Sequence, residues 1–142
     1  MRSLVIDGSV AAKWSLQDET LVGEAVALLD RYYRREVQLM VPDLFWAEFG
    51  NILWKAVRNG RCTREAAHIN IAALKDLRLT TVPSEGLVED AFNIATHFNR
   101  TVYDSVYVAL AVASRAQLVT ADEKLANAVA AHLPVKWLGA FM

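Results

Sequence analysis

The chain has 142 residues, 54% of them hydrophobic and 22% charged, enough apolar material for one packed domain and too much for a disordered chain. Its formal charge of −1, from 15 Lys and Arg against 16 Asp and Glu, excludes a strongly basic non-specific nucleic-acid binder but leaves room for a nucleic-acid enzyme with a local basic rim. The single cysteine, Cys62, excludes an internal disulfide, the opening Met1–Asp7 does not read as a signal peptide, and the longest uncharged apolar-rich stretch, Ser105–Ser114, is too short for a bilayer; a reducing, cytoplasmic setting with no membrane is expected.

Short apolar runs alternate with longer helical ones along one domain, residues 1–142. Leu4-Val5-Ile6 reads as a short buried strand, and Ser9–Leu16 as a helix with Ser9 at its N-cap. Asp18 is placed to cap a helix from about Glu19 to Arg34, where Leu21, Val22, Ala25, Leu28, Leu29 and Tyr32 recur at helical spacing. Val37–Val41 is a second strand closed by Pro42. A helix then runs from about Asp43 to Asn59, with Gly60 suited to its C-terminal cap. Thr63 caps the next helix, to about Leu77. Leu79–Val82 is a third strand, Ser84-Glu85 opens a helix to about Phe98, and Asp104 opens a very apolar helix to about Arg115. Leu118-Val119-Thr120 is a fourth strand, Glu123–Ala131 a helix, and Val135–Leu138 a fifth strand at a sheet edge. Strands alternating with helices predict right-handed crossovers and a Rossmann-like α/β/α sandwich on a parallel sheet of about five strands. Such sheets bind ligands beyond the carboxyl ends of their strands, near the switch in strand order.

Four acids fall on that rim. Asp7 follows the first strand, Glu48 lies in the second turn of the helix after the second strand, Asp104 starts the helix leading into the fourth strand, and Asp122 follows that strand. Asp7, Asp104 and Asp122 each have an alternative use as a helix cap, worth about 1 kcal/mol. Glu48 does not: Leu44, Phe45 and Ile52 are its helical neighbours, no Lys or Arg stands three or four positions away, and an unpaired carboxylate on an apolar flank calls for a cation from outside the helix. Two carboxylates about 4 Å apart repel by roughly 4 kcal/mol at an effective dielectric of 20. With no basic side chain spaced to neutralise four of them, and no Cys or His cluster, the hard oxygen set predicts Mg²⁺ or Mn²⁺. An ion so held suits phosphodiester cleavage. Ser9 is placed either to bond a scissile phosphate, to orient Asp7 or to cap its helix.

The segments Val5-Ile6-Asp7-Gly8-Ser9, Ala47-Glu48-Phe49-Gly50-Asn51, Tyr103–Ala111 and Leu118-Val119-Thr120-Ala121-Asp122 together resemble the PIN-domain ribonucleases, in particular the VapC toxins of toxin–antitoxin pairs. The resemblance covers essentially the whole chain. It implies an endoribonuclease dependent on Mg²⁺ or Mn²⁺, with Asp7, Glu48, Asp104 and Asp122 as metal ligands and catalytic acids and Ser9 as the hydroxyl residue after the first acid. It also implies an RNA substrate, a homodimer and a VapB-like antitoxin. Gly8 departs from the pattern, which often has Ala or Thr there.

Lys13, one turn past Ser9, and Arg100, four residues before Asp104, are the basic residues best spaced to position RNA; for both, the alternative is a solvated surface charge. The helix carrying Phe45, Trp46, Phe49, Leu53 and Trp54 is apolar on more than one side, which a partner helix would cover. Three other classes compete: a PIN-like RNA-processing nuclease that is not a toxin, a receiver-like Mg²⁺-binding signalling module, and a non-enzymatic binding domain whose acids are caps. A receiver would want paired acids after its first strand and a Lys in its last loop, whereas this chain has Asp7 alone there and Lys136 inside the last strand. No Gly-rich phosphate loop is present.

Overall fold

The computed structural model describes residues 1–141. Five strands, β1 (Arg2–Ile6), β2 (Val37–Pro42), β3 (Thr80–Val82), β4 (Gln117–Thr120) and β5 (Val135–Trp137), form one parallel sheet in the order β3-β2-β1-β4-β5. The helices are α1 (Gly8–Ser15), α2 (Val22–Tyr33), α3 (Leu44–Arg58), α4 (Arg64–Asp76), α5 (Val88–Phe98), α6 (Val102–Ala113) and α7 (Glu123–Val129), with single 3₁₀ turns at Ser84–Leu87 and Leu138–Ala140. The α/β sandwich read from the sequence is therefore the fold. Among the described residues no helix is long and apolar enough to cross a membrane.

Parallel strands must be covered on both faces, so their sequences are continuously apolar rather than alternating. Leu4, Val5 and Ile6 of β1, Leu39 and Val41 of β2, and Leu118 and Val119 of β4 are all fully buried. α6 packs against β1, β2 and β4, and every residue from Ser105 to Ala111 is buried, which explains why that helix looked apolar all round. From β1 the chain moves one way to β2 and β3, then returns across the sheet to β4 and β5 on the other side. The switch in strand order thus lies between β1 and β4, and a crevice opens there beyond their carboxyl ends.

Several element starts differ from the expected ones. Asp7, not Ser9, is the N-cap of α1; its carboxylate accepts from the Ser9 backbone N–H at 3.1 Å. Asp18 caps nothing, because Arg61 takes both its oxygens at 2.8 Å, and α2 begins only at Val22, after Leu21 turns through a left-handed conformation at φ 59°. α6 begins two residues before Asp104, capped by Thr101, whose hydroxyl accepts from the Asp104 N–H at 3.1 Å. Thr63 caps α4 as expected, and Gly60 leaves α3 at φ 76°.

Candidate active site

The crevice is a cleft of about 210 Å³ lined by Asp7, Gly8, Ser9, Glu48, Asn51, Ile52, Asp104, Tyr107 and Asp122. All four acids read from the sequence line it. Four separate elements deliver them: the end of β1, the second turn of α3, the first turn of α6 and the loop after β4.

Asp7 is the most firmly held. Its Oδ1 accepts from the Ser9 hydroxyl at 2.5 Å, and its Oδ2 accepts from the Thr120 hydroxyl at 2.6 Å. Thr120 is fully buried and its oxygen also accepts from the Asp122 N–H at 3.0 Å, so one side chain locks the two acids that follow β1 and β4. Ser9 accepts in turn from the Ala121 N–H at 3.0 Å. With its oxygen engaged on both sides, Ser9 orients Asp7 rather than projecting free toward a phosphate. Burial raises the Asp7 pKa above its ordinary value, against the lowering effect of the Ser9 and Thr120 hydroxyls; the Asp104 charge adds to the rise.

Glu48 meets a tyrosine where a cation was expected. The Tyr107 hydroxyl, from α6, donates to Glu48 Oε1. Burial holds the Glu48 carboxyl above its usual range; the Tyr107 hydrogen bond opposes this, and the Asp7 and Asp104 charges reinforce it. Tyr107 is itself nearly buried, and burial, followed by its contact with Glu48, pushes its phenol well above the ordinary tyrosine value. It lies one turn past Asp104, so the same helix face that presents the third acid presents the donor for the second.

Asp104 is not spent on capping, since Thr101 does that work. Its pKa is raised, first by burial and also by Asp122, while Arg100 lowers it. Asp122 does cap α7, accepting from the Leu125 N–H at 3.1 Å, and still lines the cleft. At Asp7 and Asp122 capping does not exclude the cleft: each carboxylate caps its helix and also lines the opening.

The two basic residues singled out for RNA part company. Lys13 is 5% exposed, and its ammonium pairs with Glu19 at 3.4 Å. Glu19 also pairs with Arg61, so Lys13 belongs to an ion-pair network under α1 and does not line the cleft. Its placement as an RNA contact is corrected. Arg100 stands 3.6 Å from Asp104 and 3.8 Å from Asp122, so a basic side chain does reach the acids, contrary to the reading of the spacing. Glu123 is an exposed first-turn acid outside the cleft lining. Asn51, Ile52 and Tyr107 complete the lining. Asn51 was within reach of the sequence, being one turn past Glu48 on the same helix face.

The donor set is all hard oxygen, with no His or Cys in the lining, and three of its carboxyls are raised in part by a neighbouring carboxylate of the cleft. Four carboxylates face one guanidinium, an imbalance that a divalent cation relieves, and in this respect the residues fit such an ion. Among the described residues no three acids already stand close enough together to form a metal cage.

Comparison with known proteins bears on the family. The PIN domain family model matches residues 4–130. The chain is 30% identical over 128 residues to a protein of Pyrobaculum aerophilum named Ribonuclease VapC3, covering 87% of this chain and 92% of the relative. It is 35% identical over 112 residues to Ribonuclease VapC1 of Mycobacterium tuberculosis, covering 78% and 83%. Its fold matches a crystal structure of VapC20 from Mycobacterium tuberculosis, described as a toxin that cleaves the sarcin-ricin loop, with a TM-score of 0.65 at 18% identity over 92% of this chain and 95% of the other. A parallel five-stranded α/β fold, a carboxylate cleft at its switch point and a family match over most of its length place this chain in the PIN-domain family.

Proposed function

We propose that this protein is an endoribonuclease that cleaves RNA phosphodiesters with the help of Mg²⁺ or Mn²⁺ held by Asp7, Glu48, Asp104 and Asp122, and that it is the toxin of a VapBC-type pair. The observation that carries the proposal is the convergence of the four acids, from four elements, on one small cleft. When bound, a divalent ion there lowers the pKa of the attacking water and offsets charge on the phosphate and the leaving oxygen. The chain supplies the framework. Ser9 and Thr120 fix the Asp7 carboxylate, Tyr107 fixes Glu48, and Asp104 and Asp122 form the opposite carboxylate pair beside Arg100. Asn51 and Ile52 border the opening, where they meet whatever strand enters.

The partners belong to the same proposal. The relatives are named as VapC ribonucleases, and one solved structure of the same fold is a VapBC2 complex of Rickettsia felis, with a TM-score of 0.65 at 11% identity. In α3, Phe45, Phe49 and Leu53 are buried in this chain's own core and Trp46 is partly buried against it, so Trp54, 54% exposed, is the main remainder of the apolar surplus expected to face a partner. Ile69 of α4, and Phe92 with Val88 of α5, are further exposed apolar side chains available to an antitoxin and to a second copy in a homodimer. A cytoplasmic location accords with an RNA substrate and a free cysteine.

The test is RNA cleavage by the purified protein with Mg²⁺, with Mn²⁺ and with EDTA, repeated for Asp7→Asn and Asp104→Asn. Cleavage is expected only with metal, and to drop by at least about a hundredfold in each variant, the order of loss seen when a preorganised charge-stabilising group is removed. Undiminished cleavage in chelator, or in both variants, overturns the proposal.

A further inference from the structure

Arg100 is ion-paired with two of the acids but makes no hydrogen bond to either. It follows Asn99, which ends α5 in a left-handed conformation, and precedes the Thr101 cap of α6. Its Nη2 lies 3.6 Å from Asp104 Oδ2 and 3.8 Å from Asp122 Oδ2, beyond hydrogen-bonding reach of either. Its Nε is buried without a hydrogen-bond partner. Both carboxylates line the cleft, whereas Arg100 itself does not. A guanidinium normally earns a partly buried position through its fork of hydrogen bonds. Here the fork is unused toward the acids, and what remains is the field of one positive charge on two carboxylates.

We infer that Arg100 is a built-in counter-cation that sets the cleft's affinity for a divalent ion: it holds Asp104 and Asp122 side by side and competes for the negative charge that would otherwise bind the ion. The inference rests on the proposed metal dependence. Removing the guanidinium leaves four carboxylates uncompensated, so the ion binds more tightly. Because the effect comes from charge and not from bidentate geometry, a lysine at the same place preserves it. That expectation separates a counter-cation from a residue that merely fills space, since Arg100→Lys and Arg100→Gln both disturb the packing but only one removes the charge.

The experiment is calorimetric titration of Mn²⁺ into the full-length wild-type, Arg100→Gln and Arg100→Lys proteins, at one pH and ionic strength, with circular dichroism to verify the fold. Arg100→Gln is expected to bind Mn²⁺ about tenfold more tightly or better, while Arg100→Lys stays near wild type. A folded Arg100→Gln protein that binds Mn²⁺ as the wild type does, or more weakly, overturns the inference and leaves the metal reading intact. Arg100→Met, which keeps the aliphatic stem, carries the same expectation should the glutamine variant not fold. Loss of the fold in both neutral variants would make Arg100 a structural charge and also overturn it. Absence of Mn²⁺ binding in every protein, wild type included, would instead overturn the metal reading on which it stands.

Discussion

Thr120 determines where Asp7 points. It is fully buried, donates to Asp7 and accepts from the Asp122 backbone. Thr120→Val keeps the shape but strips both partners, orphaning a partly buried N–H and a carboxylate oxygen. Urea unfolding is expected to show a loss of about 1–3 kcal/mol, most of it recovered by Thr120→Ser. Tyr107 acts on Glu48 in the same way, and its hydroxyl lowers a pKa that burial raises. Tyr107→Phe is therefore expected to raise the Glu48 pKa further, moving the acid limb of the pH–cleavage profile to higher pH; a profile that stays in place would separate Glu48 from catalysis. The four acids were legible because carboxylates beside strand ends and helix starts, and an unpaired Glu48 on an apolar helix flank, are chemically conspicuous. Their partners were not. Tyr107 counts as one more apolar residue in an apolar helix, and Thr120 as the last residue of a strand. Arg100 was visible four residues before Asp104, but its reach to Asp122 was not, because that contact joins residues far apart in sequence and depends on where α6 and α7 begin.

The helices were legible in number and order, and their ends less so, for a reason that lies in the ends themselves. Glycine marks the exit of α3 at Gly60, but α2, α4 and α6 leave through Arg35, Arg78 and Arg115, all at positive φ, where only tertiary packing dictates the turn. An L-residue pays roughly 1–2 kcal/mol in that conformation. Arg115 is exposed and sits between α6 and β4, so Arg115→Gly is expected to raise stability by about 1 kcal/mol in denaturant unfolding without altering cleavage. Gly8 is the reverse case. A Cβ there would lie 2.9 Å from Ile52 Cδ1 and 4.0 Å from the Glu48 Cβ, so glycine lets α1 approach the turn of α3 that carries Glu48. Because the obstructing atom is the far end of a flexible side chain, alanine is admissible at this position if Ile52 turns aside. Ile52 itself lines the cleft, so its movement would reshape the opening.

For the molecule as a whole, the sheet order brings β1 and β4 together, and α3 and α6 bring Glu48 and Asp104 to the same crevice, so the charge state of the cleft contributes to global stability. Asp7, Glu48 and Asp104 have folded-state pKa values raised above 3.8, 4.5 and 3.8. A carboxyl with a raised pKa binds its proton more tightly in the folded chain than in the unfolded one. Its stabilising contribution is complete below the ordinary carboxylate value and is lost as pH climbs through the raised one. Asp18, lowered by Arg61, works in the opposite direction but is exposed and counts for little. In EDTA, thermal unfolding is therefore expected to show a higher midpoint at pH 5 than at pH 8. A divalent ion reverses the sign, because it binds the ionised carboxylates of the folded state and stabilises them by mass action. With excess Mn²⁺ the midpoint at pH 8 should rise by several degrees while that at pH 5 changes little. The same titration on Asp7→Asn should show a smaller rise, since one ligand is neutral. A midpoint indifferent to Mn²⁺ at pH 8 would mean that the acids gathered by the fold are held by hydrogen bonds alone, and that their convergence serves packing rather than chemistry.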